Sequence, residues 1–418
     1  MIPTFFQPEF SKILDREYFS KKAHPIREQA FETFLGQGFP NKKWEDWRFT
    51  NLSKIKKGNF RISDITDAPK QEIGISKYGI QSFHTAIIYN GHYQEKISSI
   101  PEGIKILSNL DYMENNDWKI KQPSKSSFDL LNTAFMDSGI CLIVEGNKKI
   151  EKPLRILFIC SGNENIMVSP RIHIDAKESS ALTIVEQHVG KCNEYLYNGS
   201  FIINIEKNAK INHSRIQNNS KETINIGNLH VQQKKSSNYV FNQFAFGGSL
   251  SRMNIYSDLI GEGANCSING LNLSNGNQHM DSYVVTNHHK AHCTSSQNFK
   301  FILKDQSSGV FNGRSVVHNG AQKTDSNQSN KNLLLSDDAL MNSNPQLEIY
   351  TDDVKCTHGS STGALEPDAI FYMQSRGIDK ESARALLVHG FASEIINRFN
   401  GNDIHKYITN YFDEWINT

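Results

Sequence analysis

The feature that most limits the fold of this chain is a repeat with a period of 27 to 28 residues. The repeated segments each begin with a small residue and continue as an alternating, strand-like run; they start at Ala181, Ala209, Ser237, Ala264 and Ala291. A fixed period of this size indicates one repeated supersecondary unit. The units lack long faces of helical period, and Gly and Asn recur between them, so they predict a β-solenoid of stacked coils. An antiparallel sandwich with regularly spaced turns is the competing fold.

The composition fits a thin-cored solenoid and limits the kinds of partner. Hydrophobic residues make up only 38% of the 418 residues, and Asn, Ser and Gln fill much of the deficit. The charges balance, with 45 Lys and Arg against 44 Asp and Glu, which argues against nucleic acid or an anionic membrane as the main partner. The length exceeds one ordinary compact core, so we expect two domains, or one repetitive domain with end pieces.

Cysteine usage and hydropathy bear on the compartment. The six cysteines are scattered and form no CxxC pair, which predicts free thiols in a reducing compartment. No apolar run approaches the roughly 20 residues of a membrane span, and the first residues lack the basic and apolar regions of a secretory signal. We therefore expect a soluble, cytoplasmic protein.

The segments on either side of the repeat show other patterns. Residues 1–75 have helical spacing, and Trp44 and Trp47 in WEDWRFTNL are interpreted as anchors in a small core rather than as a binding platform. Further along, Asn90 and Gly91 between two short strand patterns predict a type I′ hairpin.

Two amphipathic helices are predicted at the C-terminal end. Asp379 is a suitable N-cap for the first. Its apolar residues at helical spacing predict one buried face: Ala383, Leu386, Leu387, Gly390, Phe391, Ile395 and Phe399. Gly390 on that face would allow close approach of another element. A second helix is predicted over residues 403–416. The pair either covers the last strand edge of the solenoid or docks another protein.

Cys356 and His358 are the strongest candidate metal ligands. They lie two residues apart in DDVKCTHG, so on an extended strand their side chains share one face. Thiolate and imidazole can bind iron or zinc, whereas a buried Cys and a hydrogen-bonded His are ordinary parts of a solenoid coil. Residue types alone favour the buried interpretation. The flanking Asp352, Asp353 and Lys355 favour a polar, accessible surrounding, and the lysine would favour the thiolate.

The other candidate groups give weaker predictions. His288, His289, His292 and Cys293 place four ligand types within six residues, but their spacing matches no standard site, so we interpret them as residues at coil corners. The sequence has no nucleophile elbow, P-loop or metalloprotease motif. Asp352 and Asp353 are adjacent and would point to opposite faces of a strand, so they do not form an acid–base pair. We therefore expect a protein that is not an enzyme.

Several segments together resemble the SufB/SufD family of iron–sulfur cluster assembly scaffolds. The most specific are FNGRSVVHNGAQKTDSNQSNKNLLLS, NPQLEIYTDDVKCTHGSSTGAL, IFYMQSRGI and ALLVHGFASEII. The likeness extends upstream through GGSLSRMNIYSDLIGEGANCSINGL and HMDSYVVTNHH to WEDWRFTNL, and it is weakest over residues 80–150. The DDVKC-x-HG segment at residues 352–359 resembles the SufD branch rather than the SufB branch.

This resemblance implies a fold and an organisation. It implies a right-handed parallel β-helix flanked by N-terminal and C-terminal helical domains. We expect the helical N-terminal domain over residues 1–78 and the β-helix, with a strand-rich lead-in, over residues 79–364. Helices that dock an ATPase are expected over residues 365–418.

The resemblance also implies partners and site residues. It implies pairing with a SufB-like homologue through the β-helices and binding of a SufC-like ABC-type ATPase by the C-terminal helices. The complex would support iron acquisition and the assembly of nascent clusters. On the family pattern Cys356 and His358 are candidate ligands for a transient iron–sulfur cluster or iron at the SufB interface, with His358 the stronger candidate. We expect the isolated chain to bind no cofactor and to form a homodimer, because a near copy of the partner edge is then available.

Two alternatives to a scaffold remain at this point. One is a polysaccharide-cleaving enzyme built on a β-helix, although the acids do not cluster suitably and no secretory signal is evident. The other is a plain interaction protein in which Cys356 and His358 are structural.

Overall fold

A parallel β-helix forms the centre of the molecule. The computed structural model describes residues 2–16, 21–64, 82–109, 126–136, 138–162, 165–192, 194–398 and 402–417. From Gly139 onward successive strands lie mostly in alternate sheets, and neighbours within each sheet pair in parallel. This pairing confirms the predicted solenoid and excludes the antiparallel sandwich.

Within the described residues the two sheets, A and B, contain 11 and 10 strands. Sheet A consists of β1 (Arg61–Ile62), β4 (Ile104–Ser108), β5 (Gly139–Val144), β7 (Ile166–Val168), β8 (Arg171–Ala176), β10 (Tyr195–Ile205), β12 (Thr223–Gln233), β14 (Leu250–Leu259), β16 (His279–His288), β18 (Ser308–Val317) and β20 (Leu340–Ile349). Sheet B consists of β2 (His84–Tyr89), β3 (His92–Tyr93), β6 (Leu154–Gly162), β9 (Ala181–Cys192), β11 (Lys210–Gln217), β13 (Asn238–Ala245), β15 (Asn265–Ser274), β17 (Thr294–Leu303), β19 (Asp325–Leu334) and β21 (Lys355–Gly363).

The register of sheet B corrects part of the predicted repeat. Ala209, Ser237 and Ala264 do stack in one buried column. The residues that continue this column are Ser180 and Cys293, not Ala181 and Ala291. The period therefore varies with the length of each corner. The physical requirement stays the same from β9 to β17 of sheet B, because a small, buried side chain comes just before each of these strands.

Within the described residues, three large hydrophobic clusters hold the parts together. The first fills the space between the two sheets along the β-helix. The second joins the outer face of sheet A to the N-terminal helices: α1 (Phe6–Leu14), α2 (His24–Gln37), α3 (Ser53–Lys57) and α4 (Ser127–Phe135). The third joins the outer face of sheet B to α6 (Lys380–Ile396) and α7 (Asn402–Asn417), which follow α5 (Pro367–Ser375). Short 3₁₀ segments lie at Lys21–Ala23, Glu45–Trp47 and Glu95–Ile97.

Trp47 attaches the N-terminal segment to sheet A, which confirms its predicted role as an anchor. Its buried ring stacks on Phe128 at 5.1 Å between centroids, and the guanidinium of Arg252 lies 3.7 Å from its ring centre. Arg252 is itself buried and pairs with the buried carboxylate of Asp281. The pair and the ring therefore fix the N-terminal segment against β14 and β16.

The first coil is closed by antiparallel pairs. Strand β4 pairs antiparallel with β5, and β2 pairs with β3 across Asn90 and Gly91. Both turn residues have positive φ, 44° and 90°, which a type I′ turn requires. The predicted hairpin is confirmed. The predicted boundary at residue 78 lies outside the described residues.

Helix α6 begins where predicted but buries a different face. The side chain of Asp379 accepts a hydrogen bond from the Ser382 N–H, which confirms the N-cap. The buried residues are Ala383, Val388, Ala392, Ile395 and Ile396. Leu386 is 51% exposed, and nothing lies within 4 Å of a Cβ placed on Gly390. The prediction that Leu386 and Gly390 face the packed side is therefore wrong; Phe399 lies outside the described residues.

The C-terminal helices lie beside the β-helix rather than over its end. They contact the outer face of sheet B, where Lys300 bonds the Phe391 carbonyl and the Glu394 carboxylate. The last strands, β20 and β21, have only partly buried or exposed residues. Of the two predicted roles for these helices, covering the last strand edge is therefore wrong. Among the helices of the described segments, none combines the length and apolar character needed to cross a membrane.

Candidate functional site

The uncovered end of the β-helix is the candidate functional site. Strands β20 and β21 are the terminal strands of sheets A and B. Each therefore has one edge whose backbone groups have no neighbouring strand among the described residues, which makes it a template for pairing with another strand. Inward residues of the preceding coil are buried, whereas those of the last coil are not.

Cys356 and His358 lie on the inward face of β21. Cys356 is in register with Ser326 and His358 with Gln328, both of which are 1% exposed inside the β-helix. The structure confirms the extended conformation and the shared face that the sequence predicts. Because the coil is the last one, Cys356 is only half-buried and His358 is exposed. Both groups therefore line the open mouth of the interior.

Polar groups surround this mouth. The Ser360 hydroxyl donates to the Ser343 hydroxyl at 2.8 Å and so joins β21 to β20. The Gln328 amide donates to the Gln346 carbonyl at 3.3 Å. The sequence analysis did not identify Ser343 or Ser360; their signal is that they continue the inward alternation of their strands.

The electrostatics at Cys356 differ from the prediction. Burial and the nearby Asp325 carboxylate raise the pKa of the Cys356 thiol. Lys355 does not favour the thiolate as predicted, because adjacent residues on a strand point to opposite faces. Asp353, in the turn before β21, pairs with Lys323 at 2.6 Å. A positively charged ligand or partner group would therefore be needed to lower the pKa of Cys356.

Within the part of the chain that the structure describes, no three His, Cys, Asp or Glu side chains come together in a metal-binding group. Cys356 and His358 are two side chains of the types that iron in sulfur-bridged clusters accepts as ligands. A complete ligand set at this mouth needs groups from outside these residues.

The second histidine group lies at coil corners, as predicted. His288 is buried, and its Nε2 lies 2.9 Å from the Ser295 hydroxyl; burial lowers its pKa to about 4. The ring of His289 stacks on His318 at 4.4 Å between centroids. The Cys293 thiol donates to the Gly261 carbonyl. These contacts are structural and bring no further ligands together.

Sequence reasoning missed a charged cluster inside the β-helix. The buried carboxylate of Glu186 bonds His188, His213 and Arg215. The guanidinium of Arg215 donates in turn to the Asn225 side-chain carbonyl at 2.8 Å. The available signal was the alternation of β9, where Glu186 and His188 continue the inward positions of Leu182 and Ile184.

The chain matches family models over most of its length. Residues 158–391 match the model described as "SUF system FeS cluster assembly, SufBD core domain", and residues 9–156 match "SufBD protein N-terminal region". The matched core coincides with the β-helix from β6 onward and extends into α6.

Similar curated proteins come from bacteria and a plant. The chain is 28% identical to the iron-sulfur cluster assembly protein SufD of Escherichia coli (strain K12), over 93% of this chain and 92% of that protein. It is 25% identical to SufD of Bacillus subtilis (strain 168), over 96% and 97%. It is 29% identical to the chloroplastic protein ABCI7 of Arabidopsis thaliana, over 92% and 84%.

Proposed function

This chain belongs to the SufBD family of iron–sulfur cluster assembly proteins, and we propose that it is a SufD-like scaffold subunit without catalytic activity of its own. It acts in the cytoplasm, where it supports iron acquisition and the assembly of nascent clusters. Iron and the nascent cluster are cargo, held only while the cluster is built. The comparisons give no support to a polysaccharide-cleaving enzyme.

The observation that carries this proposal is the position of Cys356 and His358. Both lie on the inward face of the last coil, beside a strand edge that nothing in the described chain covers. A homologous β-helix placed against this edge would face the two side chains and add the missing ligands. His358 is proposed as the stronger ligand. An imidazole ligand would leave the cluster easier to release than four thiolates would.

The partner at this end is proposed to be a SufB-like homologue. Lys355 and Leu340 donate backbone hydrogen bonds to the preceding coil, at 2.9 Å and 3.0 Å. Because alternate residues of a parallel strand bond to opposite sides, the N–H of Ser360 and the ring nitrogen of Pro345 point to the free edges. Pro345 weakens pairing along β20, so β21 is the better edge for a partner strand. When the homologue is absent, a second copy of this chain occupies the edge.

The C-terminal helices are proposed to dock a SufC-like ABC-type ATPase. Their outward side carries large hydrophobic residues that the fold leaves exposed: Phe371 by 72%, Tyr372 by 59% and Leu386 by 51%. Exposed apolar side chains grouped on consecutive helices indicate a protein interaction surface. The opposite face of α6 is fixed on sheet B, so this surface is available without unfolding the domain.

Anaerobic cluster reconstitution on the co-expressed three-protein complex tests the site. We expect His358→Ala to lower iron and sulfide content severalfold, and Cys356→Ala to lower it by a smaller factor. His289→Ala and Cys293→Ser serve as matched controls, because they change the same residue types at a coil corner. Complexes that assemble normally but hold wild-type amounts of iron and sulfide with both His358→Ala and Cys356→Ala would overturn the proposed site.

A pull-down tests the ATPase surface separately. The double variant Phe371→Ser, Leu386→Ser should lose the ATPase while keeping the SufB-like partner. The variant Ser360→Pro should lose the SufB-like partner while keeping the ATPase. Retention of the ATPase by the double variant at wild-type level would contradict docking on this face.

A further inference from the structure

A pair of cysteines far from the open end of the β-helix shares a site that the cluster-assembly proposal does not use. Cys160 lies near the end of β6, and Cys192 ends the neighbouring strand β9. Cys160 is in register with Gly190, so Cys192 is displaced from it by two residues along the next strand. Both side chains therefore lie on the same face of sheet B, within the interior cluster. The two thiols are close enough to shift each other's pKa in opposite directions.

The close approach of the two strands depends on Gly190. A Cβ at this position would lie 1.9 Å from the Cys160 carbonyl oxygen, and the residue has φ of +112°. Only glycine meets both conditions. The two strands thus approach closely at Gly190, which is in register with Cys160 and two residues from Cys192.

A cavity lies beside the two cysteine residues. It measures about 940 Å³, and both cysteines line it. Tyr407 and Tyr411 of α7 form part of its opposite wall, and Lys191, Lys221 and Glu222 also line it. The two cysteines are only 1% and 7% exposed, so an ion bound between them would be shielded from bulk water.

Neutral donors surround the thiols and continue as a polar chain. The Asn219 amide donates to the Cys160 sulfur at 3.9 Å, and its carbonyl accepts from Asn225 at 3.3 Å. Asn225 in turn accepts from Arg215, which pairs with Glu186. This chain places an amide rather than a charged side chain directly at the Cys160 sulfur.

We propose that Cys160 and Cys192 form a two-sulfur site for a soft monovalent cation of the Cu(I) type. Thiolates select soft ions, and a d¹⁰ monovalent ion is satisfied by two ligands in a line. No third His, Cys, Asp or Glu joins the pair among the described residues, so the four ligands of a structural zinc site are not present.

The spacing favours an ion over a disulfide. Residues displaced by two positions on neighbouring strands have Cα atoms roughly 7–8 Å apart. A disulfide usually needs less than about 7 Å, whereas a metal ion between the sulfur atoms lengthens the bridge. All six cysteines of the chain are free thiols in this structure.

Anaerobic titration of the full-length chain with Cu(I), in competition with a Cu(I) chelator, tests the site. All proteins carry Cys356→Ser, so that the exposed thiol does not contribute. We expect this background chain to retain one more equivalent of Cu(I) than its Cys160→Ser or Cys192→Ser derivatives. The Cys141→Ser derivative is the matched control, since it removes a buried thiol elsewhere, and it should retain the full amount.

A second measurement uses the chain with both cysteines intact. In the copper-loaded chain, maleimide labelling after brief exposure to denaturant should spare both Cys160 and Cys192 while labelling Cys141. Three results would each overturn the proposal. All derivatives could retain equal amounts of copper, the two thiols could remain unprotected in the loaded chain, or the chain could retain Zn(II) as well as it retains Cu(I). Loss of two hydrogens by mass, with no copper retained, would identify a disulfide pair instead. None of these outcomes bears on Cys356 and His358.

Discussion

A carboxylate inside the β-helix is expected to have a large effect on stability at the scale of single residues. Glu186 is 1% exposed, and its oxygens lie 3.0 Å from the Arg215 Nε and from the His213 Nε2. A buried charge that loses its partner costs about 3–5 kcal/mol. We expect Glu186→Gln to lower the free energy of unfolding by that amount, measured by urea denaturation at neutral pH.

Glu178→Gln is the control for this substitution. Glu178 pairs with Lys207 at 3.0 Å, but both side chains are more than half exposed. Such surface pairs contribute about 0–1 kcal/mol, so this variant should unfold like the wild type. An equal decrease in the free energy of unfolding for both variants would contradict the prediction that the buried Glu186 cluster stabilises the fold more than a surface ion pair does.

Buried histidines are expected to make the fold sensitive to mild acid. Burial lowers the pKa of His288 to about 4, from 6.5 in the unfolded chain. The unfolded state therefore takes up the proton first, and stability is lost as the pH falls from 6.5 toward 4. His173 and His188, whose pKa values burial lowers to about 3 and about 4, act in the same direction.

Urea midpoints measured across this pH window test the effect. We expect His288→Asn to reduce the loss of stability between pH 6.5 and 4 by about 2–3 kcal/mol. His292→Asn is the control, because His292 is exposed in a turn with φ of +60° that Asn also adopts. An unchanged pH dependence in His288→Asn would contradict the lowered pKa of His288.

At the scale of elements, the observed packing of α6 distinguishes Ile395 from Leu386. The sequence pattern predicts that both side chains lie on the buried face of this helix. Ile395 is fully buried against sheet B, whereas Leu386 is 51% exposed. We expect Ile395→Ala to cost about 2–5 kcal/mol and Leu386→Ala less than about 0.5 kcal/mol, measured by chemical denaturation. Similar losses in both variants would indicate that the helix packs as the sequence pattern suggested.

The sequence predicted the local features of these elements, such as caps and turns, better than it predicted which neighbouring elements cover them. The N-cap at Asp379 and the turn at Asn90 and Gly91 depend on neighbouring backbone groups, so composition and spacing were sufficient. The buried face of α6 was mispredicted because apolar residues occur on both sides of the helix, and only sheet B decides which side is covered. The shared face of Cys356 and His358 was predictable from strand alternation for the same local reason.

The open end of the β-helix could not be predicted from the sequence, because it is a property of the whole molecule. The terminal helices could have covered β20 and β21, and their amphipathic pattern is compatible with either position. What the sequence does contain is an asymmetry between the two edges. Pro345 has no N–H, so one hydrogen-bond donor is missing from the free edge of β20. On β21 the outward N–H groups are all present, and they belong to Cys356, His358, Ser360 and Thr362. We therefore expect a partner strand to pair with β21, the strand that carries the candidate ligands.

This asymmetry leads to a prediction about self-association. We expect the isolated chain to form a homodimer through β21, detected by sedimentation velocity. Ser360→Pro removes an N–H that points to the free edge and leaves the ladder to β19 in place. The variant should therefore be monomeric, with an unfolding midpoint close to that of the wild type.

Two further substitutions distinguish loss of the edge from loss of the strand. Ser360→Thr keeps the N–H and the hydroxyl that bonds Ser343, so it should remain dimeric. Ser361→Pro removes an N–H that bonds toward β19, so it should lower the unfolding midpoint as well as weaken the dimer. If Ser360→Pro stayed dimeric with an intact fold, another surface would join the two copies. The partner that completes the ligand set of Cys356 and His358 would then have to approach along β20, where Pro345 removes a donor from the middle of the edge.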